Sequence, residues 1–235
     1  MELHPSMNHI TCAEFQEALS EYPKAIPQSI ADLDSPRHES IPQSVISLKQ
    51  MSVLPYIAGS QLQLLQDWRI GRARQRSRPF GAITSMRQHQ RSGPGRIEEA
   101  TREAYGLLAS DLSDSSVESA VRALAKLKGS DVVEASLLLS VYAPAELPYF
   151  SMELRKWSQV VSRSLMNSVL QAYSLREYLL VVNKVATLRA RLGEAVSATD
   201  VEKVAYVLGK RRAAAAKLVN TSERRHDEGS EDELA

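Results

Sequence analysis

Helix-start signals recur along this chain in front of apolar residues that repeat every three or four positions. Capping-box spacing of a Ser or Thr three residues before a Glu occurs at Thr11 with Glu14, Ser115 with Glu118, Ser174 with Glu177 and Thr199 with Glu202. No stretch alternates apolar and polar residues as a strand does, and no Asn-Gly hairpin turn is present. The sequence therefore predicts an all-α, multi-helix bundle.

The predicted helices are most clearly delimited in the second half of the chain. One helix follows Ser115 and stops near Gly129, and an apolar helix runs from about Asp131 to Tyr142 before Pro144. Further helices are predicted from Pro148 to near Tyr173, from Ser174 to Gly193, and from Thr199 through Lys210, Arg211 and Arg212 into an alanine run. Together with apolar positions from Val45 onwards, they define a helical domain over residues 45–220.

Both ends of the chain differ in composition from this domain. Residues 1–44 carry Pro5, Pro23, Pro27, Pro36 and Pro42, which predicts a flexible N-terminal arm with one short helix after Thr11. Residues 221–235 are predicted to form a disordered acidic tail.

Composition excludes several classes of protein. Lys plus Arg number 29 against 28 Asp plus Glu, so net charge gives no indication of the partner. A single cysteine, Cys12, excludes an internal disulfide and a multi-cysteine metal site. The apolar run over 135–145 is too short and too interrupted to cross a membrane, and no secretory signal is readable. The sequence predicts an intracellular protein, nuclear or cytoplasmic, with no metal and no cofactor, and leaves its oligomeric state open.

Charge is distributed unevenly in the segment 69–96, which is predicted to be a basic loop. It contains eight arginines and no acidic residue: Arg69, Arg72, Arg74, Arg76, Arg78, Arg87, Arg91 and Arg96. Guanidinium groups pair well with phosphate oxygens, so Arg72, Arg74, Arg76 and Arg78 are candidate nucleic-acid contacts. A solvated loop and a nuclear-import signal over 72–78 are the alternatives.

A second candidate contact lies where Lys128, Gly129 and Ser130 precede the apolar helix. In a helix-hairpin-helix, a glycine-containing turn directs backbone amides at a DNA phosphate beside a lysine. Asp131 brings a negative charge to this turn, and a plain helical corner ended by Gly129 is the alternative.

From about Leu62 to Arg212 the chain resembles an uncharacterised family of fungal helical proteins whose core is similar to helix-hairpin-helix DNA glycosylases. The matching segments, in order, are LLQDWRIGR, RPF, TREAYGLL, LAKLKGSDVVEASLLLSVYAPAELPYFS, YSLREYLLVVNKVATLRARLG and SATDVEKVAYVLGK. The family turn reads Lys-Gly-Ile-Gly-Pro-Ala-Thr-Ala-Ser and is followed by Phe-Phe-Ser-Asp-Glu. This chain keeps Lys128, Gly129, Ala135, Ser136, Phe150, Ser151 and Glu153 but lacks the second glycine, the proline and the aspartate.

Met152 stands at the position that the resemblance assigns to the catalytic aspartate. Base excision needs a carboxylate there, and a thioether cannot replace it. Glu153 is one residue further, a rotation of about 100 degrees on a helix, so we expect its carboxylate to point elsewhere. No catalytic residue is therefore predicted.

Two functions follow as predictions. The first is a non-catalytic protein with weak, sequence-independent affinity for a DNA or RNA backbone. The second is a protein-interaction or scaffold module without nucleic-acid contact. A surviving glycosylase-like enzyme is the third alternative, and it would need Glu153 or Asp131 as its carboxylate.

Overall fold

The computed structural model describes residues 5–74, 93–127, 130–159 and 173–228, and in that part of the chain the regular structure is helical without strands. In chain order it contains α1 (Cys12–Ala25), α2 (Gln28–Ser35), a π-helical segment (Pro36–Ser40), α3 (Ile41–Gln50), α4 (Gly59–Arg74), α5 (Pro94–Leu107), α6 (Asp114–Leu124), α7 (Val132–Tyr142), α8 (Met152–Trp157), α9 (Leu175–Leu192) and α10 (Ala198–Glu228). The prediction of an all-α, multi-helix bundle is confirmed.

Two of the four predicted capping boxes are present. Thr11 and Glu14 bond reciprocally at the start of α1, and Ser174 and Glu177 do the same at the start of α9. Gly193, with φ of +112°, ends α9 as predicted, because glycine adopts this left-handed conformation without strain.

The other two predicted boxes are wrong by two residues. The N-cap of α6 is Ser113, whose hydroxyl accepts a hydrogen bond from the Ser116 amide. At the start of α10, Ser197 and Asp200 exchange hydrogen bonds between backbone and side chain. Serines that precede the predicted caps supply the same local geometry, and this displacement leaves Glu202 without a capping role.

The predicted N-terminal arm is also wrong, because residues 12–50 fold into α1, α2, the π-helical segment and α3. Ile10, Phe15, Ala18 and Tyr22 are buried in the main core, and α1 packs along α10. The chain before α1 is held as well, since the Trp157 indole donates a hydrogen bond to the Pro5 carbonyl at 3.1 Å.

Most prolines of this region lie at the start of a helical segment, where they do not prevent helix formation. Pro27 is the N-cap of α2, and Pro36 and Pro42 lie in the first turns of their segments, where a missing amide hydrogen costs nothing. Pro23 lies within α1, close to its C-terminus.

The predicted disordered tail is wrong over residues 221–228, which continue α10. This stretch contains no glycine or proline, so nothing in it interrupts a helix already propagating through the alanine run. Residues 229–235 lie outside the described part of the chain.

Helix α7 forms the centre of the fold and confirms the apolar helix predicted over 131–142. Every residue from Val133 to Tyr142 is buried, which explains why apolar side chains cover most of its surface. Helix α8 confirms only part of the helix predicted from Pro148 to near Tyr173, because α8 ends at Trp157 and Gln159 has a φ of +51°. Residues 160–172 lie outside the described residues.

Candidate anion-binding site

Three fully buried charged side chains meet where α4, α10 and the π-helical segment come together. Arg72 Nη1 donates a hydrogen bond to Glu202 Oε1 at 2.6 Å, and Arg37 Nη2 lies 3.4 Å from Glu202 Oε2. Their side chains are 3%, 1% and 0% exposed for Arg72, Arg37 and Glu202. One buried carboxylate therefore faces two guanidinium groups.

Aromatic rings enclose the Arg72 guanidinium. Its carbon lies 4.2 Å from the centre of the Tyr206 ring and 4.6 Å from that of Trp68, which are cation–π distances. Burial by itself lowers the pKa of Arg72, but Glu202 together with Tyr22, Glu153 and Tyr149 outweighs it, and the pKa lies above its usual value. The group is a permanent, rigidly held cation.

The hydrogen-bonding capacity of this cluster is only partly used within the described residues. Arg72 Nε and Nη2 and Arg37 Nε and Nη1 are buried without a hydrogen-bond partner there. Arg37 Nη2 donates a hydrogen bond to the Ser140 hydroxyl at 2.6 Å. Buried guanidinium donors are costly to leave unmatched, so this cluster favours an additional acceptor.

Arg72 also lines a cavity of about 750 Å³ between α8 and α10. Its polar lining includes five basic residues and one acidic residue: Arg72, Lys156, Lys210, Arg212, Lys217 and Glu153. Lys156, Lys210, Arg212 and Lys217 are exposed, whereas Arg72 is buried, so positive charge extends from the cavity rim to its interior. Such a distribution of charge attracts anions from solution toward the cavity.

The structure corrects the expectation for Glu153. Met152 and Glu153 both line the cavity, and the Glu153 carboxylate is near enough to Arg72 to raise the pKa of that arginine. The one-residue rotation along α8 therefore does not turn Glu153 away, because the cavity is wide enough for both side chains to reach its wall.

Gly209 allows α8 to approach α10 this closely. A Cβ atom at Gly209 would lie 2.7 Å from Glu153 Cγ and 3.3 Å from Glu153 Cβ. A glycine inside a helix lowers stability by about 1 kcal/mol relative to alanine. Here the absence of a side chain at Gly209 leaves room for the side chain of Glu153.

The arginines of the segment 69–96 are buried, exposed or outside the described residues. Arg72 and Arg69 are buried on α4, so the prediction of a basic loop is wrong for them. Arg69 pairs with Glu134 and Asp131, each at 3.1 Å, because α4 packs against the beginning of α7. Arg96 is exposed on α5. The side chain of Arg74 lies outside the described residues, as do Arg76, Arg78, Arg87 and Arg91.

At the predicted hairpin, Lys128 and Gly129 lie outside the described residues. The Ser130 amide donates to the Leu127 carbonyl at 3.0 Å, so this amide is already engaged within the turn. Asp131 caps α7 by accepting from the Glu134 amide at 2.7 Å and is neutralised by Arg69. The negative charge expected to repel a phosphate is therefore part of an ion pair.

Sequence reasoning missed the cationic residues contributed by α8 and α10, namely Lys156, Lys210, Arg212 and Lys217. One local signal was available: Lys210 and Lys217 are seven residues apart, two helical turns, and so project from the same side of α10. Lys156 precedes them by more than fifty residues, and no local pattern joins it to α10.

Comparisons with protein-family models, curated proteins and solved structures find no match to this chain. The resemblance to a fungal family and to glycosylase-like cores therefore stays a prediction. None of the described helices has the length and apolar character needed to span a membrane.

Proposed function

We propose that this protein binds nucleic acid through the sugar-phosphate backbone, without reading sequence and without excising bases. The observation that carries the proposal is the cationic cavity, with Arg72 buried inside it and four exposed basic residues around it. Backbone phosphates present the anionic oxygens that lysine and arginine bind, and they repeat along every strand.

The absence of base excision follows from the chemistry of the cavity wall. Met152 cannot supply an acid or a base, and the stem of Glu153 is packed against Gly209 beside Arg72. In this proposal Glu153 moderates the positive charge of the cavity and has no part in bond cleavage.

Fluorescence anisotropy tests the proposal. It measures the affinity of the protein for labelled single-stranded and duplex DNA and RNA at a series of salt concentrations. Affinity is expected to fall linearly on a log–log plot, with a slope of about 0.7–0.9 for each phosphate contact. The double variant Lys156→Gln/Arg212→Gln is expected to weaken binding to all sequences and to reduce the slope by about one per lost contact.

The matched control is Arg122→Gln/Lys126→Gln, which removes the same charge from exposed positions outside the cavity lining. Equal loss of binding in both double variants, or no binding at low ionic strength, overturns the proposal. Abasic sites formed by the wild type and abolished by Glu153→Gln would overturn the non-catalytic part alone.

The contribution of the arginines at the end of α4 and beyond it needs a separate variant. Arg74, Arg76 and Arg78 can be replaced by Gln together while Arg72 is retained, because Arg72 is an internal partner of Glu202. If these three add phosphate contacts, the slope decreases further than in the cavity variant alone.

A further inference from the structure

The basic residues that line the cavity differ in exposure, and this bears on the type of phosphate that it binds. Of its five basic residues, four are exposed and only Arg72 is buried, with 3% of its surface exposed. A volume of about 750 Å³ lies within the range of small-ligand pockets, about 300–1,000 Å³.

We infer that the cavity binds a phosphomonoester, supplied by the end of a nucleic-acid strand or by a free nucleotide. The strand-end form rests on the proposed function. A phosphodiester inside a strand continues on both sides, so two chain segments would have to enter with it. A terminal phosphate is attached on one side only and can enter the cavity by itself.

The charge of the site supports the same ligand. A phosphomonoester carries about −1.5 to −2 at pH 7 and presents three strong acceptor oxygens. Two Arg72 nitrogens, Nε and Nη2, have no hydrogen-bond partner among the described residues and form one edge of a planar fork. Glu202 holds the opposite edge at Nη1 and fixes the orientation of that fork.

Lys156 and Arg212 line the same cavity from α8 and α10 and are exposed. They are placed to bind the same phosphate or the next one along a strand. Because the rim charges come from two helices, the site depends on the packing of α8 against α10 at Gly209.

The test compares 3′-labelled oligothymidylates that end in a 5′-phosphate or a 5′-hydroxyl, the latter one nucleotide longer so that the number of phosphates is equal. An oligomer with a 3′-phosphate, a circular oligomer and thymidine 5′-monophosphate as competitor complete the set. A terminal phosphate is expected to tighten binding about tenfold. This preference should decline below about pH 6, where the monoester dianion takes up one proton and becomes a monoanion.

Lys156→Gln/Arg212→Gln is expected to reduce the end preference, and Arg122→Gln/Lys126→Gln to preserve it. Arg72→Lys retains the charge but loses the fork, and should lower the preference while circular dichroism shows an unchanged helical content. These rim and fork variants keep the test decisive if a larger change at Arg72 unfolds the protein.

Equal affinity for phosphate-ended, hydroxyl-ended and circular oligomers overturns this inference and leaves the proposed function intact. Binding of thymidine 5′-monophosphate without any binding of strands supports the phosphomonoester site and overturns the proposed function. Failure of every probe to bind overturns both.

Discussion

At the scale of single residues, the central feature is a carboxylate that serves two buried arginines. Glu202 is 0% exposed and lies within 2.6 Å of Arg72 and 3.4 Å of Arg37. A buried ion pair contributes little relative to an apolar substitute of the same shape, but removal of one partner leaves an uncompensated charge. Glu202 therefore holds together a cluster that would otherwise repel itself.

We predict that Glu202→Gln lowers the free energy of unfolding by about 3–5 kcal/mol, because both guanidinium groups lose their buried counter-charge. Urea denaturation followed by circular dichroism measures the change. The matched control is Glu118→Gln, which breaks an exposed Glu118–Arg122 pair of 2.7 Å and should cost less than about 1 kcal/mol. Similar losses in the two variants would show that Arg37 and Arg72 do not depend on Glu202.

At the scale of elements, two buried ion pairs fix α4 to its neighbours. Arg69 reaches Glu134 on α7, and Arg72, three residues later, reaches Glu202 on α10. Residues three apart lie on the same side of a helix, so one side of α4 carries both connections. Arg72, which was predicted to contact nucleic acid from a loop, thus orients α4 together with Arg69.

Glycine allows the close approach of α4 to α2. A Cβ atom at Gly71 would lie 2.0 Å from Ile30 Cγ2, so the two helices cannot keep their separation with any larger residue there. We predict that Gly71→Ala destabilises the protein by about 1–3 kcal/mol despite the better helix propensity of alanine. Thermal and urea unfolding measure the effect.

Gly95→Ala is the matched control, because a Cβ at Gly95 has no neighbour within 4 Å. This change should be neutral or slightly stabilising. Ile30→Leu removes the branched methyl group that meets the new side chain, and we expect it to restore part of the stability lost in Gly71→Ala. If Gly71→Ala left the free energy of unfolding unchanged, α2 and α4 could move apart without loss of stability, and the prediction would be wrong.

At the scale of the whole molecule, the N-terminal residues close the core that the later helices leave open. Phe15, Ala18 and Tyr22 contribute to the main core from α1. Arg191 on α9 donates to the Ile10 and Met7 carbonyls at 2.6 and 3.1 Å, which anchors the chain before α1. Residues 5–50 are therefore part of the domain.

We predict that the amides of α1 exchange with solvent as slowly as those of the central helix α7, because they open only when the core opens. Hydrogen–deuterium exchange by mass spectrometry measures this directly. Deletion of residues 1–26 should abolish cooperative unfolding, since it removes Phe15, Ala18 and Tyr22 from the core. Exchange of α1 within seconds, or a deletion variant with an unchanged melting temperature, would instead support a loosely held arm.

Features of the fold that depend on residues close together in sequence were the ones predicted correctly. The boxes at Thr11 and Ser174, the end of α9 at Gly193 and the span of α7 are local patterns, and the structure confirms them. The prediction of an extended arm at the proline-rich start was wrong, because proline density alone does not distinguish an extended chain from short helices that begin at prolines.

The candidate site could not be predicted in the same way. Arg72 and Glu202 are 130 residues apart in sequence, and Arg37 and Glu202 are 165 apart. In the sequence alone, a cluster of arginines without acidic neighbours indicates a solvated surface. The carboxylates that pair with these arginines are distant in sequence, and only the structure brings them close. Lys156 and Arg212 likewise become neighbours only when Gly209 lets α8 approach α10.

The sequence by itself determined the helical class of the protein and several of its helix boundaries, because capping and apolar periodicity act over three or four residues. Only the tertiary structure decided which charges are buried and paired and which line the cavity. The physical reason is that desolvation and ion pairing depend on distances between remote segments, and these distances are set when the helices pack.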